Sequence, residues 1–289
     1  MSAPALFAFV QVEVPWVLGP ADGRYIVRGH AGEPEHVLVI GTLAAPVRRR
    51  GPLGRRRSRR PQPVAPSASP ATAIATRATL IGARPLAQPG ERWLRDADLQ
   101  AEAARGIAVL NGVLHAQRIA TADPGVGALT HARMLAVRVG VGAGEQVAEG
   151  RWASAALVPP PDPGRGSRTT GLRPTERLAA MLAGRDVALA CEELTLRARA
   201  DADAGRWRDC AFQLRAAYDA ALAELLPWGG QADIDDRLGE LGELRGGVDA
   251  AAAAALQGGL DDDGIATLAQ ALTRLEAALR ARTNAQLGT

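Results

Sequence analysis

The fold class of the N-terminal half is decided by the stretch Val10-Gln11-Val12-Glu13-Val14, in which valine alternates with polar residues. Successive side chains of a β-strand point to opposite faces, so this period of two predicts a half-buried strand. A second strand is expected at residues 25–27, after a Gly/Pro-rich turn, and a third at residues 36–43. We therefore expect a hairpin over residues 6–28 within an antiparallel meander of three strands.

Two more strands and one helix follow in the same half. Strand patterns occur at residues 73–83 and 134–141. Between them, residues 93–121 carry apolar side chains at steps of three and four, which predicts one long helix that ends before Pro124. We therefore predict an α+β domain over residues 1–157, made of an antiparallel sheet with one long helix.

The C-terminal half has the pattern of an all-α helical bundle. Residues 158–173 are rich in Pro and Gly and predict a linker, whereas residues 174–289 carry apolar stripes at helical spacing. Gly184 and Asp186 suit the end of one helix and the N-cap of the next. Asp233 is expected to begin a short helix.

The last helix carries an apolar seam whose members are three and four residues apart. They are Ile265, Leu268, Leu272, Leu275 and Leu279. The seam is shorter than the ~3–4 heptads that indicate a free-standing coiled coil. We therefore expect it to pack within the bundle, and the alternative is that it serves as an interaction seam for self-association.

One helical hairpin has a more specific pattern, Gly205-Arg206-Trp207-Arg208-Asp209-Cys210-Ala211, which Leu214 and Ala217 continue. It resembles the second helix of a tetratricopeptide repeat, in which an aromatic residue follows Gly and small residues stand where Cys210 and Ala217 stand here. The resemblance covers residues 186–226, and no second copy follows at the family's period of about 34 residues. It implies a protein-binding scaffold.

All 34 basic residues are arginine, and the chain has no lysine. P-loop proteins, protein kinases and pyridoxal-phosphate enzymes each require a lysine, so the sequence excludes these classes in their usual form. The chain also lacks a zinc-binding motif and a complete calcium loop. We expect no cofactor and no metal.

The cysteines and the first residues of the sequence indicate the cellular location of the protein. Cys191 and Cys210 fall in apolar helical patterns, which predicts buried thiols rather than a disulfide. The apolar start of the chain is short and lacks a basic region before it, so it does not have the pattern of a signal peptide. No apolar run reaches the length of a membrane helix. We expect a cytoplasmic protein.

Five polar residues between the long helix and the strand after it are candidates for a ligand-binding site. They are His115, Arg118, Asp123, His131 and Arg133. A histidine can act as a general base and an arginine can hold an anion, so a helix–loop–strand that joins them would bind a small ligand or support catalysis. Their spacing matches no catalytic motif.

The positive charge is concentrated in one run of eight arginines. They are Arg48, Arg49, Arg50, Arg55, Arg56, Arg57, Arg59 and Arg60. The surrounding residues 46–72 have no apolar periodicity, which predicts a disordered loop. Such a run can neutralise phosphates of nucleic acid in a salt-sensitive manner, and it could also contact an anionic membrane surface or an acidic protein. Alternatively it is a solvated loop whose arginines reflect GC-rich codons.

These patterns favour a non-enzymatic interaction, scaffold or regulatory protein that acts through its C-terminal helical bundle. Its partner would be another protein or a second copy of the chain. The first alternative is a nucleic-acid-binding accessory protein that uses residues 48–60. The second is an enzyme or small-ligand binder around His115 and His131.

Overall fold

The computed structural model describes residues 4–29, 31–43, 74–162, 173–230 and 232–288. The chain divides into two compact units, Met1–Asp162 and Pro163–Thr289. The first unit contains a β-sheet with helices and the second is helical, which confirms the α+β class with a helical C-terminal half. The loop predicted at residues 46–72 lies outside the described residues, as does most of the linker predicted at residues 158–173.

An antiparallel sheet of six strands organises the first unit. The strands are β1 (Phe7–Val14), β2 (Gly23–Arg28), β3 (Pro34–Leu43), β4 (Ala75–Gly82), β5 (Ala136–Gly142) and β6 (Ser154–Leu157). Their order across the sheet is β2-β3-β4-β1-β5-β6. The sequence pattern does not reveal β6, because its four residues are too few to show an alternation.

The predicted hairpin over residues 6–28 is wrong, because β1 does not pair with β2. Instead, β1 lies between β4 and β5, and Val12 faces Ala78 on one side and Val137 on the other. β2 pairs with β3 at the edge of the sheet, where most of its side chains are exposed. A strand buried on both faces belongs in the centre of a sheet, whereas the exposed side chains of β2 suit an edge.

The helix predicted over residues 93–121 is two helices, α1 (Gly90–Asp96) and α2 (Leu99–Thr121). The break lies at Asp98, whose carboxylate accepts a hydrogen bond from the backbone N–H of Ala101 at 3.0 Å. This bond satisfies one of the free N–H groups at the start of α2, and aspartate is a favourable residue at that position. The chain therefore ends one helix and begins another.

Helix α2 packs on the valine face of β1 through a close contact at Gly106. A Cβ atom at this position would lie 2.7 Å from the side chain of Val10, so only glycine lets the helix approach the strand this closely. The core around the contact contains Val12, Val14, Leu38, Leu80, Ala103, Leu110, Leu114, Val137 and Val139. The buried face predicted for the first strand is thus confirmed.

The second unit contains α3 (Pro174–Leu182), α4 (Ala190–Asp203), α5 (Trp207–Glu224), α6 (Ala232–Leu256) and α7 (Asp262–Gly288). Helices α4 to α7 share one core of mainly Ala and Leu side chains. The Glu224 carboxylate at the end of α5 accepts hydrogen bonds from the backbone N–H groups of Ala190 and Cys191, at 3.2 and 2.9 Å. Because these groups open α4, the two helices form an antiparallel hairpin.

Two local expectations in this unit are wrong. Helix α4 begins after Leu189 rather than at Asp186. The Glu192 carboxylate accepts a hydrogen bond from the backbone N–H of Leu189 at 3.0 Å, and the backbone N–H of Glu192 donates to the carbonyl oxygen of Leu189 at 3.2 Å. These two bonds mark the start of the helix. The helix expected to be short at Asp233 is α6, which has 25 residues. Glycines within residues 239–247 interrupt the apolar stripe by which a helix is recognised in a sequence.

The seam of α7 is buried inside its own unit. Leu268, Leu272 and Leu275 have no exposed surface and belong to the core shared by α4 to α7. Leu279 packs against the same core, and Ile265 is half-buried. Leucines enclosed by their own chain present no surface to a second copy. The structure therefore agrees with packing inside the bundle, and self-association through this seam stays an alternative that the Leu272 variant below tests.

A buried ion-pair network joins α3, α4 and α7. Arg282 and Asp186 are each about 1% exposed, and Nη2 of the arginine lies 2.5 Å from Oδ1 of the aspartate. Arg177 reaches the same carboxylate at 3.1 Å and Glu192 at 2.5 Å. Burial alone would raise the pKa of Asp186, but the hydrogen bonds from Arg282 and Arg177 outweigh it and hold this pKa below its ordinary value.

Replacing Asp186 by Asn should destabilise the helical unit at pH 7 and reduce its sensitivity to acid. The change leaves the buried Arg282 with only Glu192, at 3.8 Å, as a counter-charge, and losing its closest partner costs up to about 3–5 kcal/mol. Because the folded pKa lies below the ordinary 3.8, this stabilisation is present above that pH and is lost as the pH falls through the folded pKa. Urea unfolding followed by circular dichroism, at pH 7 and at lower pH, measures both effects.

Asp219→Asn is the matched control, because Asp219 pairs with Arg245 at 2.6 Å while both side chains are about half exposed. Removing an exposed pair of this kind costs at most about 1 kcal/mol. Equal losses of stability in the two variants would contradict a special role for the buried network.

Leu272→Ala should lower the free energy of unfolding by about 2–5 kcal/mol, because it opens a cavity in the core of the bundle. The loss should be the same at protein concentrations twentyfold apart, since the leucine is enclosed by its own chain. Leu256→Ala, at a position 65% exposed, should change stability by no more than about 0.5 kcal/mol. Destabilisation of the Leu272 variant that increases on dilution would show that the seam is shared between chains.

Candidate functional site

A cleft of about 380 Å³ lies in the first unit, between α2 and one end of the sheet. At this end β1 and β3 begin and β4 ends. Val10 and Leu80 of the sheet, Val109 of α2 and Trp93 of α1 line it with apolar surface. Its volume is within the range of small-molecule sites, about 300–1,000 Å³, and such sites are mostly apolar with a few polar groups.

The cleft exists because the helices cover only part of this face of the sheet. Helix α1 lies against β5 and β6, and α2 lies against β1 and β5. At the far end of the strands the buried side chain of Leu18 closes the core. At the near end a depression remains between α2 and the sheet, and this depression is the cleft.

His36 of β3 lines the cleft and has an unsatisfied ring nitrogen. Its Nδ1 atom is buried and has no hydrogen-bond partner among the described residues. Burial lowers the pKa of His36, and the nearby Glu35 carboxylate opposes this to a smaller extent, so the imidazole is neutral at pH 7. A buried polar atom without a partner destabilises the folded state.

Glu102 and Arg105 of α2 are the charged residues of the cleft. They form an ion pair across one turn of the helix, with the arginine side chain 64% exposed and the glutamate 28% exposed. Because their charges cancel and His36 is neutral, the lining of the cleft has no net charge.

Three of the five residues predicted to form a site lie on α2 or directly after it. His115 is half-buried on α2, and Arg118 is exposed on the same helix. The Asp123 carboxylate accepts a hydrogen bond from the backbone N–H of Gly125 at 2.8 Å, so it closes a local turn. The first two side chains therefore lie on one helix, and Asp123 closes the turn that follows it.

The other two predicted residues lie in a 3-10 turn, His131–Arg133. Nε2 of His131 is 3.0 Å from the carbonyl oxygen of Val158, and Arg133 is exposed. All five residues are in the described part of the chain, and no hydrogen bond or ion pair joins any two of them. The predicted site stays a prediction.

The polar face of β1 is covered rather than solvated. Gln11 has no exposed surface, and its Nε2 atom donates hydrogen bonds to Oγ1 of Thr79 at 3.0 Å and to the carbonyl oxygen of Val147 at 3.2 Å. Its Oε1 atom is buried without a partner in the described residues. The alternation in the sequence shows that β1 has two faces, but it cannot show that the chain around Val147 returns to cover the polar one.

Glu13 lies on the same face between two arginines of the neighbouring strands. Its Oε1 atom is 2.9 Å from Nη2 of Arg77 and 3.0 Å from Nη1 of Arg138. The Arg138 guanidinium also lies 5.9 Å from the ring centroid of Trp152. These contacts tie the three central strands together, and sequence analysis misses them because strand register alone brings the residues into contact.

Neither cysteine is a nucleophile at neutral pH. Both thiols are free and buried, as predicted. Burial raises the pKa of Cys191 to about 12 and that of Cys210 to about 11, so both remain protonated.

The described residues include no group of three or more His, Cys, Asp or Glu side chains arranged to hold a metal ion. Across the same residues, every helix is too short or too polar to cross a bilayer.

The eight arginines of residues 48–60 lie outside the described residues. They belong to the connection between β3 and β4, which leaves the sheet at Leu43 and returns at Ala75. These two residues are register partners in adjacent antiparallel strands. The connection therefore begins and ends at one point on the sheet.

Comparison with protein-family models, with curated proteins and with solved structures gives no match. Helices α4 and α5 form a hairpin over the region that resembles a tetratricopeptide repeat. Membership of that family stays a prediction.

Proposed function

We propose that this chain is a non-enzymatic interaction or scaffold protein that acts through its helical unit. Its partner is another protein or a second copy of the chain. The proposal is supported by a group of exposed apolar side chains, which we call the apolar end patch. The patch consists of Leu178, Leu182, Val187 and Leu226, which are 56%, 81%, 59% and 65% exposed.

The four residues of the apolar end patch lie at the same end of the bundle. Leu178 and Leu182 are one turn apart on α3, and Val187 lies in the connection from α3 to α4. Leu226 follows α5, whose last residue, Glu224, hydrogen-bonds to the first backbone N–H groups of α4. The end of α3, the start of α4 and the end of α5 therefore meet here.

The buried ion-pair network holds the backbone beneath the apolar end patch. Asp186, next to Val187, pairs with Arg282. The Arg282 guanidinium lies 4.7 Å from the ring centroid of Trp228, two residues after Leu226. A surface that is ordered before it binds loses less conformational entropy on binding, which favours affinity.

Grouping distinguishes these side chains from ordinary exposed leucines. Single exposed apolar residues are normal on soluble proteins, whereas grouped ones indicate an interaction site. Full burial of a leucine or valine contributes about 1.5–3 kcal/mol, so a partner that covers the patch gains a substantial free energy. The resemblance of residues 186–226 to a tetratricopeptide repeat implies the same class of function.

The double variant Leu182→Glu/Leu226→Glu should weaken complex formation by more than about tenfold, because two buried leucines contribute more than ~1.4 kcal/mol. Sedimentation velocity over a wide concentration range measures self-association. Photo-cross-linking in the native cells, followed by mass spectrometry, measures complexes with other proteins. A photo-reactive group is needed because the chain has no lysine for amine-reactive reagents.

Leu196→Glu/Leu256→Glu is the matched control, since these leucines are equally exposed but lie in the middle of α4 and at the distal end of α6. It should form the same complexes as the unmodified chain. A chain that stays monomeric and cross-links to no protein would overturn the proposal, as would complexes that persist in the apolar end patch variant.

The nucleic-acid alternative is supported by the placement of residues 48–60 in the β3–β4 connection. Eight arginines there can neutralise several phosphates, and the pairing of Leu43 with Ala75 allows their replacement without a change in the register of the sheet. This alternative uses the first unit rather than the helical bundle.

Replacing the eight arginines by serine should abolish salt-sensitive binding of fluorescent RNA and DNA if the alternative holds. Fluorescence polarisation across a salt series measures it, and each lost phosphate contact should reduce the log–log salt slope by about 0.7–0.9. Equal binding by both proteins, or none by either, would remove this alternative.

A further inference from the structure

We propose that the first unit attaches to the surface of an anionic phospholipid bilayer through a group of exposed apolar side chains, which we call the apolar rim. The rim consists of Trp16, Val17, Leu43, Ile74, Ile119 and Leu135, which are between 36% and 69% exposed. The proposal concerns the first unit and is independent of the interaction surface proposed for the helical unit.

The rim begins where β3 ends and β4 starts. Leu43 is the register partner of Ala75, the residue that follows Ile74. The Thr76 hydroxyl donates a hydrogen bond to the carbonyl oxygen of Trp16 at 2.8 Å. This bond places the turn that follows β1 beside the start of β4, so Trp16 lies at the same end of the sheet as Leu43 and Ile74.

Leu135 extends the rim to β5. It directly precedes that strand, and its backbone N–H donates a hydrogen bond to the carbonyl oxygen of Glu13, near the end of β1, at 2.8 Å. Strands β3, β4, β1 and β5 are consecutive across the sheet. Because adjacent strands lie about 4.8 Å apart, the four strand ends form a row about 15 Å wide.

The last turns of α2 add Ile119 to the same end of the unit. A Cβ atom at Gly19, two residues after Val17, would lie 3.7 Å from the side chain of Gln117. The turn that follows β1 therefore contacts the end of α2, where Ile119 is exposed. Grouped apolar side chains of this kind mark interaction sites, whereas single ones are normal on soluble proteins.

The charge that the chain carries next to the rim favours an anionic surface. Residues 44–73 connect Leu43 to Ile74, and they contain eight arginines and no acidic residue. Arg48 is five residues after Leu43, so the length of the chain keeps it within about 18 Å of the rim. The positive charge and the apolar side chains are therefore held at one end of the unit.

Two arginines of the described residues flank the rim directly. Arg118 is next to Ile119 on α2, and Arg133 lies two residues before Leu135; both arginine side chains are exposed. At a bilayer surface, arginines attract anionic headgroups while apolar side chains enter the boundary between the headgroups and the acyl chains. The rim and its neighbours supply both kinds of side chain.

A bilayer accounts for the rim better than a nucleic acid does. Contacts with nucleic-acid phosphates require positive charge, and contacts with unpaired bases require aromatic rings. The rim has one aromatic residue, Trp16, and five aliphatic ones, which neither kind of contact uses. Tryptophan is common at the headgroup level of membranes, because its ring is apolar and its indole N–H is polar.

Co-sedimentation with large unilamellar vesicles measures the attachment. Vesicles of phosphatidylcholine with about 30% phosphatidylserine should bind the chain at least tenfold more tightly than pure phosphatidylcholine vesicles, since each arginine near an anionic surface contributes a factor of about five. Raising the salt concentration from about 0.1 M to about 1 M should weaken this binding, because the Debye length falls from about 10 Å to about 3 Å.

One pair of matched variants tests the location. Leu135→Asp should weaken binding to the phosphatidylserine vesicles by at least tenfold, because it replaces an inserted apolar side chain by a charge. Ile26→Asp is the control, since Ile26 is 60% exposed and Leu135 is 61% exposed, and both variants add one negative charge. Thermal unfolding of both variants checks that each remains folded.

The control position lies away from the rim. Ile26 is the register partner of Val37 on β3, six residues before Leu43, and six strand residues span about 20 Å. A charge at that distance is largely screened at about 0.1 M salt. Ile26→Asp should therefore bind the vesicles within about threefold of the unmodified chain.

The fluorescence of Trp16 reports insertion into the bilayer. Vesicle binding should shift the emission to shorter wavelength, and brominated phosphatidylcholine should quench it. Trp16→Phe should remove both effects, although four of the five tryptophans of the chain remain. The variant therefore distinguishes insertion of the rim from a general change in the protein.

Absence of binding to phosphatidylserine vesicles at millimolar lipid concentration would overturn the proposal. Equal binding to the two kinds of vesicle, equal losses in Leu135→Asp and Ile26→Asp, or binding that leaves the Trp16 fluorescence unchanged would overturn it as well. A short RNA that binds more tightly than the vesicles, with the same affinity for Leu135→Asp as for the unmodified chain, would assign the positive charge to nucleic acid instead.

Discussion

The burial of β1 on both faces is the constraint on which the first unit depends. Val12 and Gln11 are adjacent on this strand, and neither has exposed surface. The valine face requires an apolar cover, which α2 provides. The polar face requires hydrogen-bond and charge partners, because a buried polar group without them is destabilising. The two neighbouring strands meet that need, since β4 contributes Arg77 and β5 contributes Arg138 to the Glu13 carboxylate. The polar face of β1 thus requires that β4 and β5 carry side chains that can pair with it.

The same strand positions the cleft. Gly106 brings the axis of α2 close to Val10, and this short distance places the helix over the central strand β1 and its neighbour β5. The cleft lies at one end of this packed face, where His36 and Trp93 line it. A larger residue at position 106 would displace the helix and change the width of the cleft. The contact between Gly106 and Val10 therefore determines both the packing of α2 on the sheet and the width of the cleft.

The sequence predicts elements well where a short period is visible, and it fails where a distant segment decides the outcome. The alternation at residues 10–14 identifies a buried strand, and the seam of α7 identifies a helix that packs in a bundle. Strand order is not visible, because no local pattern states that β1 pairs with β4 and β5 rather than β2. The cleft is not visible either, since His36 and Arg105 are far apart in the chain. The length of α6 is hidden by its glycines, which interrupt the apolar period without breaking the helix.

The ion pair between Arg282 and Asp186 links the last helix of the chain to the segment that precedes α4. Terminal helices commonly open and close on their own, and the free energy of this local opening is well below that of unfolding the whole domain. Here α7 cannot release its last turns without breaking the pair between Arg282 and Asp186, and Arg177 of α3 binds the same carboxylate. The outer helices therefore unfold together with the inner ones as one cooperative unit. The slow hydrogen exchange expected of the core then extends to the ends of the bundle.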